Sequence, residues 1–63
     1  MRESLEQFIV KEATTLLKET ESYDDALLYA EDIVNDAVKK FPGPLKESIE
    51  KMVVEELKKQ AMR

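Results

Sequence analysis

Apolar residues recur along this chain at intervals of three and four, the spacing that places them on one face of a helix. The first such face consists of Leu5, Phe8, Ile9, Ala13, Leu16 and Leu17. The second consists of Tyr23, Ala26, Leu27, Ala30, Ile33, Val34, Ala37, Val38 and Phe41. The third consists of Leu45, Ile49, Met52, Val53 and Leu57. The pattern therefore predicts helices over about residues 4–20, 23–40 and 44–61.

Polar and cyclic residues mark the predicted helix ends. Ser4 followed by Gln7 fits a capping box, in which each side chain bonds to the other residue's backbone N–H. Ser22 resembles the N-cap of the second helix. Pro42-Gly43-Pro44 separates the second helix from the third, and Pro44 suits the first helical position because the N–H that it lacks is not needed there.

The break between the first two helices has an alternative. An unbroken 4-3 heptad spacing also connects Ile9, Ala13, Leu16, Thr20, Tyr23, Leu27, Ala30, Val34, Ala37 and Phe41. Such spacing would suit one long helix over residues 4–40 with a short antiparallel helix against it, as in a coiled coil. Thr20 would then be a polar residue among the heptad contacts. We therefore predict an all-α fold, a single small antiparallel three-helix bundle over residues 1–63 that self-associates.

Composition limits the chemistry open to the chain. Of its 63 residues, 43% are hydrophobic and 38% charged, and it contains no Cys, His or Trp. Disulfides, zinc fingers, thiol nucleophiles and imidazole bases are therefore excluded. No apolar run approaches the ~18–20 residues of a membrane span. The first residues do not resemble a secretory signal, so we expect a cytoplasmic protein without membrane association.

Carboxylates on the second helix are the main candidates for catalysis. Asp32 and Asp36 lie four residues apart and share a face, with Glu31 beside them. Carboxylate metal sites in helix bundles usually add histidine, which this chain lacks. A solvated acidic flank is the better interpretation. We therefore expect no enzyme activity and no catalytic, metal or cofactor-binding residue.

Nucleic-acid binding is the alternative function, through the Lys-rich third helix of a small regulator. The basic residues of this region are Lys46, Lys51, Lys58, Lys59 and Arg63. Glutamates interleave with them, and Glu47–Lys51 and Glu55–Lys59 have the spacing of helical ion pairs. Residues 21–41 hold six acidic and two basic side chains, and the whole chain carries a net charge of −4. This balance disfavours binding to phosphate backbones.

Four larger apolar residues lie off the main helical faces: Val10, Leu28, Tyr29 and Val54. Leu28 projects about 155° from the centre of its helix's apolar face, at 100° per residue. We interpret these residues as a partner-binding surface. The predicted function is therefore a non-catalytic protein-interaction module, a scaffold or regulator that binds itself as a homodimer or larger assembly, with a second protein as a further candidate partner.

Overall fold

The first helix, α1, is capped at its start by a reciprocal pair of hydrogen bonds. The computed structural model describes residues 2–62, and α1 spans Leu5–Glu19. The Gln7 N–H donates to the Ser4 hydroxyl at 3.1 Å, and the Ser4 N–H donates to Gln7 Oε1 at 3.0 Å. The predicted capping box is therefore confirmed. The helix ends where the backbone of Thr20 becomes extended.

The helical conformation is interrupted between the first and second helices. The second helix, α2, spans Tyr23–Lys40. Thr20 and Ser22 both have extended backbones, with φ/ψ of −110°/157° and −148°/164°. The Ser22 hydroxyl accepts a hydrogen bond from the Asp25 N–H at 3.2 Å, which confirms Ser22 as the N-cap. The alternative of one long helix is wrong, because two extended residues cannot carry the helical hydrogen bonds across the junction.

The third helix, α3, begins later than predicted and spans Lys46–Ala61. Its N-cap is Leu45, which has an extended backbone and makes no side-chain capping hydrogen bond. The placement of Pro44 at the first helical position is therefore wrong. Since Leu45 is extended, the fixed φ of Pro44 shapes the connection between α2 and α3 and not the first turn of α3.

Contacts between distant residues define an up-down-up arrangement. The rings of Phe8 and Phe41 lie 5.8 Å apart, so the start of α1 meets the end of α2. Tyr23 lines the same surface depression as Ala61, so the start of α2 meets the end of α3. Consecutive helices are therefore antiparallel, and α1 and α3 run in the same direction. The antiparallel three-helix bundle predicted from the apolar spacing is confirmed.

The interior of the bundle is apolar, and no polar side chain of residues 2–62 is buried in it. Its buried side chains are Phe8, Ile9, Ala13, Ala26, Ala30, Ile33, Val34, Ala37, Ile49, Val53 and Leu57. All of them belong to the predicted apolar faces. Leu45 does not join them, and its predicted core position is wrong, because it lies before the first turn of α3 with 74% of its surface exposed.

Salt bridges are few on the part of the surface that the structure describes. Neither Glu47–Lys51 nor Glu55–Lys59 forms a pair within 4.0 Å, so the predicted helical ion pairs are wrong. All four side chains are exposed on α3. Water solvates such charges well, so closing an exposed pair gains little free energy.

Candidate functional site

The four apolar residues predicted as a contact surface lie at different places on the bundle. Tyr29, 52% exposed, lines the groove between α1 and α2. Val54, 41% exposed, lines the groove between α2 and α3. Val10, 44% exposed, lines the groove between α1 and α3. Leu28, 76% exposed, lies on the outer ridge of α2.

The fold groups three of these residues and separates the fourth. In a three-helix bundle each helix borders two grooves and lies opposite the third. The ridge that carries Leu28 therefore lies between the groove of Tyr29 and the groove of Val54. Val10 lies on the far side of the bundle, so it cannot share one contact surface with the other three.

The groove between α1 and α2 is a concave surface lined by four carboxylates, and we call it the acidic groove. Its lining residues are Glu12, Thr15, Leu16, Glu19, Thr20, Tyr29, Asp32, Ile33 and Asp36. The groove has a volume of about 420 Å³ and is open to solvent. Leu16 and Ile33 supply an apolar floor, and Tyr29 adds an exposed aromatic ring. Among residues 2–62, no lysine or arginine lines it.

Helix geometry explains why carboxylates stand on both walls of this groove. Glu12 and Glu19 are seven residues apart, so they face the same side of α1 about 10 Å from each other at 1.5 Å per residue. Asp32 and Asp36 are one turn apart on α2. Antiparallel packing sets Glu12 near the Asp36 end of the groove and Glu19 near the Tyr29 end.

Two lysines close to one end of the acidic groove are held by Glu3. Lys40 Nζ lies 3.0 Å from Glu3 Oε1, and Lys11 Nζ lies 3.1 Å from Glu3 Oε2. Hydrogen bonds from Lys40 and then from Lys11 lower the pKa of the Glu3 carboxyl. The Lys40 ammonium also stands 4.9 Å from the centre of the Phe8 ring, within range of a cation–π interaction.

This arrangement leaves the groove carboxylates without a cation from the described chain. Lys40 follows Asp36 by four residues, an order that favours an ion pair along a helix. Lys40 pairs with Glu3 instead. Within residues 2–62, none of the four groove carboxylates has a lysine or arginine nitrogen within 4.0 Å. Their negative charge therefore faces solvent.

The groove between α1 and α3 is bridged by polar side chains. The Thr14 hydroxyl lies 2.8 Å from the Val10 carbonyl oxygen and 2.9 Å from Gln60 Oε1. Gln60 Nε2 donates to Glu56 Oε2 at 2.8 Å and approaches the Val10 carbonyl oxygen at 3.4 Å. Val10 therefore borders a groove in which Thr14, Gln60 and Glu56 are joined by hydrogen bonds.

Sequence patterns identified only part of the acidic groove. Tyr29 was predicted as a contact residue, and Asp32 and Asp36 were interpreted as a solvated flank. Glu12 and Glu19 were missed. Their seven-residue spacing beside Leu16 was a usable signal, but it points to a groove only when the neighbouring helix is known.

The described residues offer no metal centre and no membrane-spanning helix. Between residues 2 and 62, no group of three or more His, Cys, Asp or Glu side chains is placed to hold a metal ion. Over the same range, every helix is too short or too polar to cross a membrane. Comparison of the chain with protein-family models, curated proteins and solved structures gives no match. Function must therefore be inferred from the surface of the bundle.

Proposed function

We propose that the chain is a non-catalytic protein-interaction module that associates with a second copy through the outer side of α2. Leu28 is the observation that carries this proposal. It is a large aliphatic side chain with 76% of its surface in water, on a helix whose apolar face is already packed in the core. Tyr29 and Val54 flank it. Burial of these three side chains would supply the hydrophobic free energy of association.

Charge predicts how this association responds to salt. Exposed carboxylates surround Leu28 on α2: Asp24, Asp25, Glu31, Asp32 and Asp36. A symmetric dimer brings these like charges together, which opposes association at low ionic strength. Added salt screens the repulsion and leaves the apolar contact intact. Self-association should therefore strengthen as salt is raised.

Sedimentation velocity at two salt concentrations tests the proposal. We expect the average mass to rise above that of the monomer between about 10 and about 500 µM by mass action. The rise should be larger at about 500 mM salt than at about 50 mM. A protein that stays monomeric throughout would contradict the proposed self-association.

Two matched variants locate the contact. Leu28→Glu places a charge where association must desolvate it, so it should return the protein to a monomer. Leu45→Glu is the control. Leu45 is about as exposed, at 74%, but it lies beyond the C-terminal end of α2, in the connection to α3. Both variants should keep their helical circular dichroism. Equal loss of association in the two variants would exclude the outer side of α2.

Binding to DNA-cellulose separates this proposal from the nucleic-acid alternative. We expect no retention at low salt, because the exposed Glu47, Glu50 and Glu55 interrupt any basic surface on α3. Retention that falls steeply with salt would favour the alternative.

A further inference from the structure

We propose that the acidic groove between α1 and α2 binds a short basic amphipathic helix of a different protein. The inference rests on the proposed function, since it assumes a protein-interaction module, and it adds the chemistry of a partner other than a second copy. Groove shape, wall charge and the position of the neighbouring lysines support it independently.

The length of the groove matches two turns of helix. Its walls extend about 10 Å from Glu12 to Glu19, and two helical turns rise about 11 Å. Leu16 and Ile33 form a floor on which one or two apolar side chains can rest, and the half-exposed Tyr29 ring adds contact area at one end. Recognition of an amphipathic helix in a groove needs this combination of apolar floor and polar walls.

The charge of the walls selects a basic partner. Glu12 and Glu19 stand on one wall and Asp32 and Asp36 on the other, and no cationic side chain of the described residues lines the groove. A neutral or acidic helix in the groove would displace water from these carboxylates and offer no compensation. Lysine or arginine on both flanks of a helix can reach both walls and form charge-assisted hydrogen bonds.

The contacts with Glu3 hold two of the chain's own lysines away from the groove carboxylates. Lys40 has the spacing to neutralise Asp36, and Lys11 adjoins Glu12. Both ammonium groups lie against Glu3 instead. The four groove carboxylates are therefore left without an ion-pair partner from residues 2–62. A second copy that presented its own α2 to the groove would be a poor occupant, because the exposed side of α2 is itself acidic.

Fluorescence anisotropy with a synthetic peptide tests the inference. The probe is a labelled amphipathic helix of about two to four turns made of Leu and Lys. We expect saturable binding that weakens as salt is raised, opposite in sign to the salt effect on self-association. The same peptide with Gln in place of Lys should bind at least about tenfold more weakly. Equal binding of the two peptides would overturn the proposal.

Paired charge variants show whether binding uses the groove. Asp32→Asn/Asp36→Asn removes two groove carboxylates, and Glu50→Gln/Glu55→Gln removes two from α3 with the same change in net charge. The groove variant should weaken binding about tenfold, from about 0.7 kcal/mol for each of two exposed ion pairs. The α3 variant should weaken it less than about twofold. Equal weakening would mean general charge attraction and would overturn the proposal.

Further variants keep the test decisive. If Asp32→Asn/Asp36→Asn loses helical circular dichroism, Glu12→Gln/Glu19→Gln makes the same test on the opposite wall. Tyr29→Ala should weaken binding, and Tyr29→Phe should restore it, because the ring and not the hydroxyl is the proposed contact. Sedimentation of the protein without peptide reports self-association alone, so failure of the proposed function is seen separately from failure of groove binding.

Discussion

The two grooves that flank α1 differ in how their polar side chains are satisfied. On the α3 side, Thr14, Gln60 and Glu56 form side-chain hydrogen bonds across or along the groove. On the α2 side, the walls carry four carboxylates that have no cationic partner within residues 2–62. The α1–α3 groove is bridged by hydrogen bonds between the chain's own side chains, and no such bridge spans the α1–α2 groove within residues 2–62.

This difference shows that two sides of one helix can be packed alike and still differ in their polar contacts. Ile9 from α1 and Ile33 from α2 are both buried, and each also borders one of the two grooves. The hydrophobic core therefore holds both helix pairs together. In the part of the chain that the structure describes, the α3 side alone adds hydrogen bonds between helices to that core. The α2 side relies on apolar contacts along the groove and on Glu3 at its end.

The largest expected effects come from core substitutions on the two sides. Ile9→Ala and Ile33→Ala should each lower the free energy of unfolding by about 2–5 kcal/mol, through lost burial and a cavity. Ile33→Ala should lie nearer the lower limit, because Ile33 is slightly less buried than Ile9, at 5% against 2% exposed, and no interhelical hydrogen bond of residues 2–62 spans its groove. Urea unfolding measures both values. A larger loss for Ile33→Ala than for Ile9→Ala would contradict the comparison.

Adjacent threonines test the polar bridge. Thr14 and Thr15 each bond to the carbonyl four residues earlier, but only Thr14 also contacts Gln60. Thr14→Val should lower stability by about 0.5–1.5 kcal/mol, the net contribution of one hydrogen bond. Thr15→Val, on the acidic groove, should lower it less. Equal losses in urea unfolding would mean that the bridge adds nothing to the α1–α3 contact.

The smallest expected effect is the pH-dependent contribution of Glu3. Its folded pKa lies below the ordinary value of 4.5, so its stabilising contribution is present above that pH and is lost as the pH falls through the folded pKa. Glu3→Gln lacks this contribution. The unfolding free energies of the two proteins should therefore differ at neutral pH and converge in acid. A difference that persists unchanged at low pH would exclude the ionised carboxyl as its source.

The same variant sharpens the comparison of the grooves. Without the Glu3 carboxylate, Lys40 is free to pair with Asp36 one turn earlier. Glu3→Gln should therefore weaken binding of the Leu-Lys peptide slightly while leaving self-association through Leu28 unchanged.

Features that depend on nearby residues were predictable from the sequence. Ser4 with Gln7 and Ser22 with Asp25 form caps over three residues, so the motif contains both partners. The apolar faces repeat at the helical period, so core residues such as Ile33 follow from spacing alone. These local patterns suffice to predict the three helices and the interior they share.

Features that depend on how helices rotate against one another were not predictable. The Glu3–Lys40 contact joins residues 37 positions apart. The acidic groove forms because Glu12 on α1 and Asp36 on α2 line the same groove. Residue spacing within one helix does not show which side chains of a neighbouring helix lie opposite. The start of α3 was misplaced for a local reason, since a proline fits both a connection and a first turn.

The uncapped start of α3 has a consequence for how the bundle opens. The first turns of α1 and α2 each have a serine hydroxyl as an acceptor, whereas Leu45 offers none to α3. The leading amides of α3 therefore have no side-chain acceptor at the N-cap. Amide hydrogen exchange should begin there, so local fraying spreads into the bundle from the connection that contains Gly43.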